Sequence, residues 1–277
     1  MWTLTGFADE IAPELTVQLD TLAAEGMQFL ELRAVWGTNV LRLSDAEVGR
    51  VKGELAARGV GVSSIGSPIG KIGVADDFAP HLDDFRRALH VAHELGAPYV
   101  RIFSFFIPAG DDPATHRGAV LDRLGQLVTV AARSGVTLLH ENEKGIYGDV
   151  PARCLDILAS IDSPLLRAAW DPANFVQCGV RPFEEGYEAL RPYIAYVHVK
   201  DAVLGSGQVL PAGQGDGDWR RTLAALHTSG FDGFFSLEPH LASGGTFSGF
   251  SGPDLFRTAV QAFKGLVEEE GVALGES

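Results

Sequence analysis

Four runs in the second half of the chain finish on side chains that bind hard metal cations. They are His140-Glu141-Asn142-Glu143, Trp170-Asp171-Pro172-Ala173-Asn174, His198-Val199-Lys200-Asp201 and Glu238-Pro239-His240. Each follows a short β-prone stretch, so each delivers its polar residue at the end of a strand. Glu141, Asp171, His198 and Glu238 together supply three carboxylates and one imidazole. An oxygen-rich set with one nitrogen suits Mn²⁺, Mg²⁺ or Co²⁺; Zn²⁺ is also admitted, though no thiolate favours it. One carboxylate at a strand end usually caps the next helix. Three carboxylates and an imidazole at the same place in successive units point to one divalent metal ion.

Other charged residues fall where a substrate would lie. Glu31-Leu32-Arg33 ends a further strand; its two charges are expected on opposite sides, so that one faces the rim, an internal ion pair being the alternative. Lys71 closes the turn Ser67-Pro68-Ile69-Gly70-Lys71, which can hold a hydroxyl or phosphate or simply be solvated. Arg101 is a candidate anion contact, and Asn174 and His240 adjoin the candidate ligands. Lys200 and Asp201 follow His198, and one of them is expected to orient substrate or a metal ligand. The aromatics Phe7, Trp36, Phe103, Phe105 and Phe106 can wall a sugar cleft or fill a core.

A repeated unit positions these residues. A helix-like stretch ends in glycine (Gly26, Gly59, Gly96, Gly135, Gly230) and a β-prone run follows within a few residues. Glycine there fits the left-handed residue that stops a helix. Apolar stripes at helical spacing, such as Phe78, Leu82, Phe85, Leu89 and Ala92, lie between the runs. With Thr3 to Phe7, Leu166 to Trp170 and Ala195 to Val199 added, eight strand–helix units fill residues 1–277. That repetition predicts an α/β, single-domain (β/α)8 TIM barrel with its site at the C-terminal mouth. No GxGxxG turn follows the first strand to support an open dinucleotide-binding sheet. The glycine-rich stretch Gly205 to Asp218 is expected to be a loosely held loop near the mouth that moves when substrate binds.

A net charge of −14 argues against nucleic acid or an anionic membrane as partner. No apolar run is long enough to span a membrane, and the N-terminus lacks the features of a signal peptide. Cys154 and Cys178 have no CxxC spacing and are expected to be reduced. A cytoplasmic protein is expected.

The strand endings Glu141-Asn142, Asp171-Pro172-Ala173-Asn174, His198-Val199-Lys200-Asp201 and Glu238-Pro239 resemble the xylose isomerase-like TIM barrels, the sugar phosphate isomerase/epimerase superfamily. Gly6-Phe7-Ala8-Asp9-Glu10, Glu31-Leu32-Arg33 and the stretch from Pro211 to Trp219 are similar as well. The resemblance implies a sugar or polyol substrate whose carbonyl and neighbouring hydroxyl meet the cation, stabilising an enediolate. It implies that Glu141 and Glu238 are the catalytic acid/base pair, with Asp171 and His198 as ligands only. It also implies homo-oligomers. Many members carry histidine where this chain has Asn174, which cannot act as a general acid. A dehydratase of the inosose or dehydroshikimate type follows from the same chemistry. An endonuclease IV-like repair nuclease shares the barrel but needs histidines that strands two and three lack.

Overall fold

The computed structural model describes residues 1–242 and 249–275. Eight parallel strands form the inner sheet: β1 (Thr3–Gly6), β2 (Phe29–Leu32), β3 (Gly61–Ile65), β4 (Tyr99–Ile102), β5 (Thr137–Glu141), β6 (Leu166–Trp170), β7 (Ile194–Val199) and β8 (Phe234–Leu237). Their spatial order is β1-β8-β7-β6-β5-β4-β3-β2. The two ends meet through a single parallel bridge, Phe7 to Glu31, so the sheet is a nearly closed barrel.

Helices wrap the outside, among them α1 (Leu15–Ala24), α2 (Asp45–Arg58), α3 (Ala79–Leu95), α4 (Arg117–Ala131) and α5 (Pro151–Ile161). Helix α2 begins at a reciprocal cap in which Ser44 and Glu47 satisfy each other's backbone N–H groups, and it stops at Gly59 with φ 66°. Helix α3 stops the same way at Gly96, φ 68°. On α1, Leu15, Leu19 and Leu22 are buried; on α3, Phe85, Leu89 and Ala92. These stripes pack on the outward faces of the strands in one continuous core. The repeat expected from the sequence is the repeat found.

After β6 come a short helix α6 (Pro172–Gln177) and a helical segment through Leu190; α7 (Trp219–Thr228) and α8 (Gly252–Glu269) complete the ring. Two small antiparallel hairpins, Ala34–Val35 with Thr38–Asn39 and Asp201–Ala202 with Val209–Leu210, rise from the ends of β2 and β7. Among the described residues no helix is long and apolar enough to cross a membrane. Both cysteines are free.

The barrel interior is graded. Leu139, Ala169 and Tyr196, with Tyr99 and Phe234, fill its lower end. Above them Thr5 Oγ1 lies 2.7 Å from Ser63 Oγ, which lies 2.9 Å from the Tyr196 hydroxyl. The charged layer begins directly over these hydroxyls.

Candidate metal centre

Parallel register brings the ends of β5 to β8 to one level, and the four residues singled out in the sequence converge there. One ligand atom from each of Glu141, Asp171, His198 and Glu238 falls within 4.8 Å of all the others. His198 Nδ1 is 3.3 Å from Glu141 Oε1, 3.9 Å from Asp171 Oδ2 and 3.9 Å from Glu238 Oε2. All four side chains are buried. Among the described residues, His198 Nδ1 and Asp171 Oδ2 have no well-aligned hydrogen-bond partner. Buried polar atoms left this way ordinarily face an ion or water.

Charge makes the same case. Glu31, Glu141, Asp171 and Glu238 face two fixed cations, Arg101 and Lys200, because Arg33 is matched by Asp9 at 2.8 Å and His240 by Glu10 at 3.1 Å. With His198 neutral, as a metal ligand must be, two negative charges remain, and a divalent ion would neutralise them. The ionisable groups respond in kind. Burial and the neighbouring carboxylates push Asp171 up to about 6, although Lys200 opposes them. Burial works against the His198 imidazolium, yet Glu141 and Glu31 lift it to about 10. Glu141 is held down to about 2 despite burial, by His198 and Arg101. Lys200 and His240 likewise hold Glu238 well below the usual carboxylate range. The donor set fits a divalent cation bound by all four residues.

A pocket of about 500 Å³ opens above the centre, bordered by Glu141 and Glu238 and by Arg33, Arg101, Lys200 and His240. Arg101 is clamped by backbone oxygens of Gly66 and Ser67, and its Nη1 meets Glu141 Oε2 at 3.1 Å and Glu238 Oε1 at 3.7 Å. Lys200 Nζ lies 2.7 Å from Glu238 Oε2 and 2.9 Å from Asp171 Oδ2. Asn174 donates to Glu141 Oε1 at 3.1 Å, while its own backbone N–H is capped by Asp171 Oδ1 at 2.9 Å. Lys71 sits at the rim over the Phe103 ring, 3.2 Å from Glu143. His240 adopts φ 48°, a conformation fixed by its backbone N–H donating to Glu10 Oε2 at 2.9 Å. Glu238 and Glu10 overcome the effect of burial and raise its imidazolium to about 9.

Three expectations change. Glu31 and Arg33 do not take opposite sides. Residues two apart on a strand share a face, and both enter the barrel, Arg33 at the pocket and Glu31 one layer below it, 3.2 Å from His198 Nε2. Glu31 therefore does not touch the pocket. Nor does Asp201. Its carboxylate accepts from the backbone N–H groups of Ala202, Gly213, Gly215 and Gly217 at 2.8–2.9 Å. The third change follows from the second: the stretch from Gly205 to Asp218 is tied down by Asp201 and a hairpin rather than loose, although Val209 does reach the pocket.

Sequence reading gave no role to Glu10, Asn142 or Glu143. Asn142 links the ends of β5 and β6 by donating to Asp171 O at 2.8 Å and accepting from Asp171 N at 3.1 Å. Its place between two acidic residues at a strand end was the available signal. Glu10, Glu238 and His240 also cluster, but Arg33 lies 3.8 Å from Glu10 Oε1 and 3.3 Å from Glu238 Oε1. That guanidinium already occupies the role a second cation would take.

Comparison with known proteins places the chain. It is 28% identical over 222 residues to a 2-epi-5-epi-valiolone 7-phosphate 2-epimerase from an Actinoplanes species, covering 79% of this chain and 80% of that one. Its fold matches an IOLI protein crystallised with a bound zinc atom (TM-score 0.78, 15% identity, 97% and 99% of the two chains). It also matches a probable 3-DHS dehydratase of Bacillus anthracis (TM-score 0.75, 17% identity, 95% and 98%). The family model described as xylose isomerase-like TIM barrel spans residues 19–266. A barrel with these strand ends, matched over that length, belongs to the xylose isomerase-like TIM barrel family.

Proposed function

We propose that the protein is a divalent-metal-dependent isomerase or epimerase that moves a proton on a small sugar or keto-polyol. The observation carrying this reading is the paired disposition of two glutamates in one pocket. Glu141 presents Oε1, and Glu238 presents Oε2, to the shared centre, and each turns its other oxygen toward Arg101. Both are held ionised by their cationic neighbours. A cation held there supplies Lewis-acid polarisation of a substrate carbonyl and its neighbouring hydroxyl. Glu141 and Glu238 accept the carbon-bound proton and return one, from opposite flanks. Asp171 and His198 complete the ligand set.

Arg101, Lys200, Asn174 and His240 border the substrate's oxygens. Lys71 and Lys144 at the rim suit a phosphate or other anionic substituent, since among the described residues the Lys144 ammonium has only neutral Gln177, at 3.1 Å, as its partner. The Actinoplanes relative, by its name a 2-epimerase of 2-epi-5-epi-valiolone 7-phosphate, supports a phosphorylated substrate. Manganese, magnesium or cobalt is the favoured ion, and zinc in the structurally similar protein keeps that ion in play.

The test is incubation of the metal-loaded protein with ketoses, keto-polyols and their phosphates in D2O, followed by NMR. Deuterium at the carbon beside the carbonyl, with no loss of water, is the expected result. Loss of water assigns a dehydratase. Neither change with any member of the panel rejects proton transfer as the activity.

A further inference from the structure

Glu31 is fully buried beneath the metal centre, and among the described residues the only cation-forming side chain facing it is His198. Its Oε2 accepts from Ser236 Oγ at 2.8 Å and lies 3.2 Å from His198 Nε2. The other ring nitrogen, Nδ1, faces Glu141, Asp171 and Glu238. So the imidazole is shared between the metal set and a fourth carboxylate outside it. A histidine that binds a cation through Nδ1 carries its proton on Nε2. A carboxylate facing Nε2 favours that tautomer and fixes the plane of the ring. Phe7 and Tyr196 pack edge-on against the ring, centroids 5.3 and 5.7 Å away, and hold it in the same plane.

A carboxylate at this depth is costly unless donors face it. Ser236 is one donor, and the Tyr196 hydroxyl, whose proton is retained well above the usual range by burial and by the charge of Glu31, stands beside it. Two hydroxyls thus stand with the Glu31 carboxylate under the histidine, while among the described residues its Oε1 has no hydrogen-bond partner. We propose that Glu31 is the positioning residue for His198: it holds the Nε2–H form, with Ser236 fixing its carboxylate, and so sets metal affinity from beneath the pocket. The inference rests on the metal reading above and is independent of which sugar reaction follows.

Two measurements test it, neither requiring turnover. Calorimetric titration with Zn²⁺ should show Glu31→Gln binding about 10–100-fold more weakly than the unaltered protein, the range typical of losing a partner of a metal-binding histidine. Ser236→Ala, which leaves the charge and frees only its anchor, should show a smaller loss. Thermal unfolding before zinc is added checks that each variant is folded. Nitrogen-15 NMR of the zinc-loaded, unaltered protein should show the His198 proton on Nε2 and the metal on Nδ1. Zinc affinity of folded Glu31→Gln within about twofold of the parent overturns the proposal. A His198 proton found on Nδ1 overturns it without any variant. If the zinc and NMR results hold while no sugar is turned over, the sugar chemistry fails and this assignment stands.

Discussion

Lys200 holds its ammonium 2.7 Å from Glu238 Oε2, against the oxygen that Glu238 presents to the metal centre. The ammonium therefore supports the candidate ligand carboxylates electrostatically and also borders the pocket above them. Its two contributions separate on substitution. Lys200→Met removes one positive charge beside Asp171 and Glu238, so a divalent ion should bind at least as tightly as in the parent. Turnover should fall by about 10²-fold or more, the scale of losing a charged group at the reacting atoms. Metal titration and steady-state kinetics on the same preparation check both halves; weaker metal binding contradicts the charge argument.

The glutamates should part from the other ligands. Glu141→Gln and Glu238→Gln keep an oxygen for the metal but cannot accept a proton. Each should bind metal measurably and lose about 10²–10⁴-fold in turnover. If one residue removes the proton and the other returns it, only one variant still washes the substrate's proton into D2O. His198→Ala should instead lose metal first, with part of its activity recovered by excess ion. Near-normal turnover of both Gln variants at saturating metal makes these carboxylates ligands alone.

Metal uptake should release protons. His198 with an imidazolium at about 10 is charged at neutral pH, and Nδ1 must shed its proton to bind. The sign follows: affinity rises with pH, about tenfold per unit, until pH passes 10. Below about 6 Asp171 also carries a proton, and the dependence steepens. Calorimetry at pH 7.5 in buffers of different ionisation enthalpy should count about one proton released per ion. A buffer-independent enthalpy would mean that His198 is already neutral.

Asp201→Asn should loosen the loop, not the metal. The carboxylate satisfies four backbone N–H groups, and an amide can accept for only part of that set. A loss of about 1–3 kcal/mol in stability follows from the stranded donors. Hydrogen exchange at Gly213, Gly215 and Gly217 should quicken while zinc affinity holds. Unchanged exchange there removes Asp201 as the anchor.

Architecture was legible because it is repetitive. Glycines such as Gly59 and Gly96 stop helices for a reason visible in composition, and apolar stripes repeat at a fixed angle whatever the tertiary context. Glu141, Asp171, His198 and Glu238 were legible because strand ends in a parallel barrel share a level. Depth and direction were not. Arg33 and Glu31 share a face yet lie in different layers, which only the stagger of the strands decides. Asp201 follows a ligand on the chain, but it turns to the backbone of its own loop because four N–H groups there point inward. Glu10 reaches His240 across 230 residues, and no local pattern records that meeting.

One backbone bridge, supported by the Arg33–Asp9 ion pair, joins the ends of β1 and β2, and one of its two residues is Glu31. The stave that shuts the cylinder is thus the stave that stands under His198. Parting that seam would withdraw Glu31 from His198 as the barrel opens, and a cation held by β5 to β8 would resist the parting through the same side chain. Ion retention and barrel closure are then a single cooperative event, and on heating the loaded protein should lose both at one temperature.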